Sequence, residues 1–153
     1  MTGALILGVD PGRRGALAWL DLHGDLVDVV DMPDLDGVAL GAQLRDLVVE
    51  RRPVRAVVEQ ITPRPGQGVQ SVRTSAARWG VLLGVLGAWD VPTVLVSPAG
   101  WKRSARLGRD KTASRQRAIE LWPAWSHAFG RVRDDGRAEA ALIARHGWIG
   151  GQG

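Results

Sequence analysis

The chain has 153 residues, 45% of them hydrophobic, which is the size and composition of one folded domain with a core of its own. It has no cysteine, which excludes disulfides and thiolate metal sites, and no segment approaches the ~18 uninterrupted apolar residues of a membrane span. The net charge of +4 is unevenly spread: residues 1–59 carry net −4, residues 60–117 net +8, and residues 118–153 are balanced.

Residues 4–10 (ALILGVD) form a continuous apolar run that ends in Asp10. Residues 15–20 (GALAWL) and 26–31 (LVDVVD) follow across the turn-like stretches PGRRG and DLHGD, so the chain opens as a three-strand antiparallel meander. Val38, Leu40, Leu44, Leu47 and Val48 have helical spacing, with Asp36 as N-cap and Pro53 as stop. Residues 54–59 (VRAVVE) form a strand that again ends in an acid, Glu59, and ITPRPGQG is a Pro/Gly loop. Residues 69–89 are expected to be helical and residues 91–97 to form a further strand. PAGWKRSARLGRD is expected to be irregular and basic. A short helix then starts near Asp110 or Thr112. A last helix spans 135–147, with Gly147 as its C-cap and a loose tail after it. A meander followed by α/β crossovers predicts a mixed sheet with helices on its faces, and in such sheets sites form beyond the strand ends.

Two strands that end in carboxylates raise a chemical question. If they are parallel neighbours, Asp10 and Glu59 meet at one sheet edge, where like charges repel unless a cation lies between them. Asp135 and Glu139 are four apart and share a face of the last helix, opposite Ala140, Leu142, Ile143 and Ala144. Taken singly, each acid has an ordinary explanation: Asp before Pro-Gly forms turns, and acids in a first helical turn favour the helix dipole. Taken together, four oxygen ligands without cysteine fit two divalent ions, Mg²⁺ or Mn²⁺, in a site that hydrolyses phosphodiesters. The basic centre of the chain is the surface an anionic polymer would seek.

LILGVDPGRRGALAW, VVEQ and DGRAEAALIA, in that order and over nearly the whole chain, resemble the RuvC-type Holliday junction resolvases of the ribonuclease H-like superfamily. The resemblance implies an α/β fold, a ribonuclease H-like mixed five-stranded sheet with an antiparallel meander, parallel strands and helices on both faces. It implies a single nuclease domain over residues 1–153 with two metal ions per site. Asp10 would bridge the metals, Glu59 would be the second-strand ligand, and Asp135 and Glu139 the pair from the last helix. The family often spaces this last pair by three, so Asp134 and Asp135 both remain open; helical geometry favours Asp135, because position 134 lies about 100° further round. Lys102 and Lys111 resemble the family's basic residues near the scissile phosphate, and Arg64, Arg73, Arg78, Arg103, Arg106 and Arg109 would hold phosphates. The family often carries an aromatic wedge in the loop after the second acid; ITPRPGQG has none, and Arg64 is left to stack there.

The activity implied is that of a crossover junction endonuclease making two symmetric cuts in four-way junction DNA. Two cuts imply a homodimer, with the 69–89 helix as its face: Gly80, Gly84 and Gly87 for close approach, Trp79 and Trp89 as anchors. The expected location is cytoplasmic, of host or phage origin, and His146 is assigned only to the helix end. Rival readings are an actin-like kinase, for which 153 residues are too few, a related nuclease on other branched DNA or structured RNA, and a non-catalytic junction-binding module.

Overall fold

A computed structural model describes residues 3–108, 110 and 112–151. Its five strands are β1 (Leu5–Asp10), β2 (Ala16–Asp21), β3 (Leu26–Asp31), β4 (Arg55–Glu59) and β5 (Thr93–Val96). They form one sheet in the order β3-β2-β1-β4-β5. The meander β1-β2-β3 is antiparallel, and β4 and β5 run parallel to β1, as a mixed sheet requires. The helices are α1 (Gly37–Arg51), α2 (Val69–Ala88), α3 (Pro98–Ser104), α4 (Ala113–Leu121) and α5 (Asp135–Gly150). Among the described residues no helix is long and apolar enough to cross a membrane.

The unbroken apolar run of β1 follows from burial on both faces. Leu5, Leu7 and Val9 pack with Leu17 and Trp19 under α1 and α2, against Leu40, Leu44, Val48, Leu82 and Leu86. Ile6, with Ala16, Ala18 and Val57, lies under α5 against Ala140, Ala141, Leu142, Ile143 and Ala144. Strand periodicity of two thus assigns even positions of β1 to the α5 face. That face includes Asp10.

Gly8 permits this arrangement. A Cβ there would overlap the Ala140 carbonyl oxygen and the Ala144 nitrogen, so only glycine lets the α5 backbone lie on β1 at this point. Gly136 does the same at the start of α5, where a Cβ would overlap the Arg14 carbonyl of the β1–β2 turn.

The segment after β5 departs from the expected irregular stretch. Pro98 starts α3, and the Ser97 hydroxyl caps it by accepting from the Gly100 N–H at 3.1 Å. Two short 3-10 turns, Pro123–Ala128 and Val132–Asp134, fill the link to α5. α5 runs past Gly147 to Gly150, so Gly147 is internal and not a C-cap. The tail is correspondingly tied down: the Trp148 indole donates to the Leu22 carbonyl at 2.9 Å, and Arg55 donates to the Gly147 carbonyl at 2.6 Å. His146 is likewise not free at a helix end; its Nδ1 lies 2.8 Å from Ser104 Oγ and joins α5 to α3. Asp36 occupies the N-cap position of α1 but makes no capping bond, because Arg13 and Arg78 take its carboxylate.

Candidate functional site

β1 and β4 are in parallel register with Val9 opposite Val58, so the next step places Asp10 beside Glu59. Adjacent strands are about 4.8 Å apart, and both side chains point to the α5 face. α5 crosses that face on Gly8 and brings Glu139 to Asp10 within hydrogen-bonding reach. Three carboxylates from three elements therefore meet at the end of the sheet. Asp10 and Glu59 open on a cleft of about 1180 Å³ whose wall includes Gly12, Arg13, Gln60, Arg64 and Lys102.

The electrostatics follow from crowding and burial. Burial is the main reason the Asp10 carboxyl is pushed up, opposed by the Gly12 N–H that donates to its Oδ1 at 3.2 Å. Burial, followed by the charge of Asp10, pushes Glu139 up to about 8. Glu139 is therefore the partner that keeps the proton and donates it to Asp10. Glu59 is also raised by burial, against the pull of the Trp101 indole. Lys102 and Arg64 are cations whose fields favour the ionised forms of Asp10 and Glu59.

Glu59 is held by two tryptophans. The Trp101 Nε1–H donates to Glu59 Oε2 at 2.5 Å, and the Trp79 Nε1–H donates to the Glu59 carbonyl at 3.2 Å. Trp101 is fully buried, so its indole gives the carboxylate a fixed orientation. The sequence reading passed over Trp101, although it precedes Lys102 in GWKRS. Trp79, expected as a dimer anchor, instead packs into the α1–α2 core and supports the end of β4.

The helix acids divide. Asp135 does not join the cluster: its Oδ1 accepts from Arg115 Nε of α4 at 2.7 Å. Asp134 is buried, at 1% exposure, and its carboxylate accepts from the Arg131 N–H and guanidinium. It closes the turn before α5. The position three before Glu139 is Gly136, pressed on the β1–β2 turn. Among the described residues no three acidic or histidine side chains converge closely enough to hold one ion as they stand. Glu59 is committed to Trp101 and Asp10 shares a proton with Glu139, so the cluster is gathered but not drawn in. Its donor chemistry nonetheless fits a hard divalent cation: all donors are oxygen, and three neighbouring carboxylates need a positive charge to ionise together.

The basic residues also separate. Arg64 lines the cleft, and Arg73, Arg103 and Arg106 are exposed. Arg78, expected on phosphate, is buried and spent on protein: it donates to the Leu35 and Pro33 carbonyls and pairs with Asp36 at 3.1 Å, fastening the loop before α1 to α2. Lys111 and Arg109 lie outside the described residues.

Sequence comparison finds no matching family model and no matching curated relative. Comparison of folds does. Thermus thermophilus RuvC, solved in complex with a Holliday junction substrate, superposes with a TM-score of 0.67 at 14% identity, over 98% of this chain and 96% of that one. A second structure of Thermus thermophilus RuvC gives 0.65 at 15% identity, over 97% and 96%. The yeast mitochondrial Holliday junction resolvase Ydc2 gives 0.63 at 18% identity, over 97% of this chain and 78% of that one. The chain thus has the mixed five-stranded, ribonuclease H-like fold of the RuvC-type Holliday junction resolvases.

Proposed function

We propose that this chain, as one nuclease domain, is a metal-dependent endonuclease that resolves four-way DNA junctions as a homodimer. The observation that carries the reading is the meeting of Asp10, Glu59 and Glu139 at one sheet end, where Asp10 and Glu59 line a cleft that also presents Lys102 and Arg64. The structural neighbours named as Holliday junction resolvases supply the substrate class.

Asp10, Glu59 and Glu139 would hold divalent cations, which on binding supply Lewis-acid stabilisation of the phosphate and an acidified water. Asp10 is central, because it neighbours both Glu59 across the strands and Glu139 across the helix. Glu139 gives up its proton for the site to form. Lys102, an exposed point charge on α3, faces the developing negative charge, and Arg64 holds the strand in the cleft. Lys111 is assigned to the same phosphate. The dimer reading draws on α2, where Gly80, Gly84 and Gly87 have open space around them and Trp89 is half exposed.

The test is cleavage of a labelled four-way junction, compared with linear duplex and a DNA–RNA hybrid, with Mg²⁺ and with EDTA. Paired nicks in the junction alone, dependent on Mg²⁺, are expected. Asp10→Asn should reduce cleavage by at least ~100-fold while junction binding persists. A second reading, a non-catalytic junction binder, draws on the lack of a ready-made ion cage among the described residues. Junction binding without cutting in Mg²⁺ or Mn²⁺ would select it, and cutting only of the hybrid would replace the substrate.

A further inference from the structure

We propose that Arg106, Arg117 and Arg145 form a second phosphate-binding site, taking a backbone phosphodiester of the nucleic-acid strand that leaves the cleft. The inference rests on the nuclease reading for its ligand. It rests on the geometry of three elements for the site itself.

Arg106 and Arg117 line one small cavity of about 260 Å³ between the end of α3 and α4, with Leu107, Ala113, Gln116 and Glu120. Arg145, on the α5 helix that packs against α4, feels the charges of both. Partial burial is the main cost to the Arg145 charge, and the like charges of Arg117 and Arg106 add to it. Among the described residues the one counter-charge paired with these three is Glu120, which lies 3.0 Å from Arg117 Nη1; none reaches Arg106 or Arg145. Arg117 Nε is buried with no partner. Three arginines with one counter-charge and an unused N–H are what a phosphate group satisfies, since it accepts from several guanidinium groups at once.

The backbone of Arg106 adds an independent observation. α3 ends in a Schellman turn: the Leu107 N–H reaches the Lys102 carbonyl at 3.0 Å and the Arg106 N–H reaches the Arg103 carbonyl at 3.0 Å. Arg106 holds the left-handed position of that turn, at φ 57°. Glycine is the favoured residue there, and arginine costs on the order of 1 kcal/mol. The chain therefore keeps a cation at a position whose local energetics favour glycine. Along the chain the cluster follows residues of the candidate site. Arg106 follows Lys102 by four residues, and Arg145 follows Glu139 by six, about 9 Å along α5.

The test pairs binding with stability in R106G, R145Q and the double variant. Anisotropy of labelled junction DNA is measured in EDTA across a salt series, and melting is measured with and without inorganic phosphate. The expected result is a salt slope lower by about one to two in the double variant, with junction affinity ~10-fold weaker. The same variant should melt at the same or a higher temperature than wild type without anion, because repulsion and the left-handed strain are relieved. Phosphate should raise the wild-type midpoint more than the variant's. A lower midpoint with an unchanged salt slope would assign the arginines to the fold and overturn the proposal. Phosphate stabilisation that the variants lose, with DNA binding unaltered, would assign a free anion and overturn the nucleic-acid ligand. If wild type binds no junction at all, the nuclease reading fails, and the phosphate melts still decide whether an anion site exists.

Discussion

Glu139 sits where burial and the Asp10 carboxyl both oppose its ionisation, and the two together push it up to about 8 from an ordinary value of 4.5. The folded chain therefore keeps a proton that the unfolded chain releases near 4.5. An acid raised in this way contributes stability that is full below pH ~4.5 and is lost as pH rises towards 8. The expected outcome, in EDTA, is a melting temperature that falls by several degrees between pH 5 and pH 8, since about 1 kcal/mol moves the midpoint by ~2–4 °C at this size. Glu139→Gln keeps a donor for Asp10 without the titration, and should make the fall shallower, leaving the share that the raised Asp10 and Glu59 contribute. Mg²⁺ should restore the wild-type midpoint mainly at the alkaline end, where binding no longer has to displace a proton. A profile identical in wild type and Glu139→Gln would show that the proton is not shared there. Asp135 makes the contrasting case. Its bond to Arg115 is 42% exposed on the acid's side, which limits its worth to ~0–1 kcal/mol. Asp135→Asn is expected to leave junction cleavage within ~3-fold of wild type; a loss as large as that from Asp10→Asn would mean that Asp135 leaves Arg115 to join the site.

The placement of α5 decides whether these residues meet. The pattern of strands ending in Asp10 and Glu59 was readable, because parallel register carries the carboxylates to one edge once both strands are seen. So was the apolar face of the last helix. Which helix acid faces the strands was not, because that depends on a partner far away in the chain: Arg115 draws Asp135 aside and Arg131 buries Asp134. Trp101 was missed for the same reason. Its indole meets Glu59 across 42 residues, and the helix that carries it has only two turns, too few for a periodic signal. Gly8 could have been used: a glycine two positions before a strand-end acid, on the same face, marks where another backbone crosses. Gly8→Ala would force α5 away from the Ala140 and Ala144 backbone, costing ~1–3 kcal/mol in urea unfolding. It should also separate Glu139 from Asp10 and reduce the fall of stability with pH. Unchanged unfolding would mean that α5 does not bear on β1 at this position.

At the scale of the whole molecule, the proposed cutting of a junction with two equivalent strands needs two sites held at fixed separation, and one chain would provide one. The dimer we propose would place its second copy on the outward face of α2. Gly80, Gly84 and Gly87 each have open space where a Cβ would stand, so none is required by packing within the chain. Three glycines in one helix cost roughly 1 kcal/mol each against alanine, an expense with no return inside the monomer. Close approach of a second helix gives it one. Gly84→Arg is the informative change. It places a long cation on that face, adds helix propensity and has a Cβ that meets no atom of the described chain, so the monomer should melt no lower than wild type. If α2 is the dimer face, light scattering should report half the mass of wild type at micromolar concentration. Cleavage should change from paired to single nicks, because each monomer keeps Asp10, Glu59 and Glu139 but has no partner to make the opposite cut. A variant that stays dimeric and still cuts in pairs would move the interface elsewhere and leave the glycines of α2 without a role in assembly.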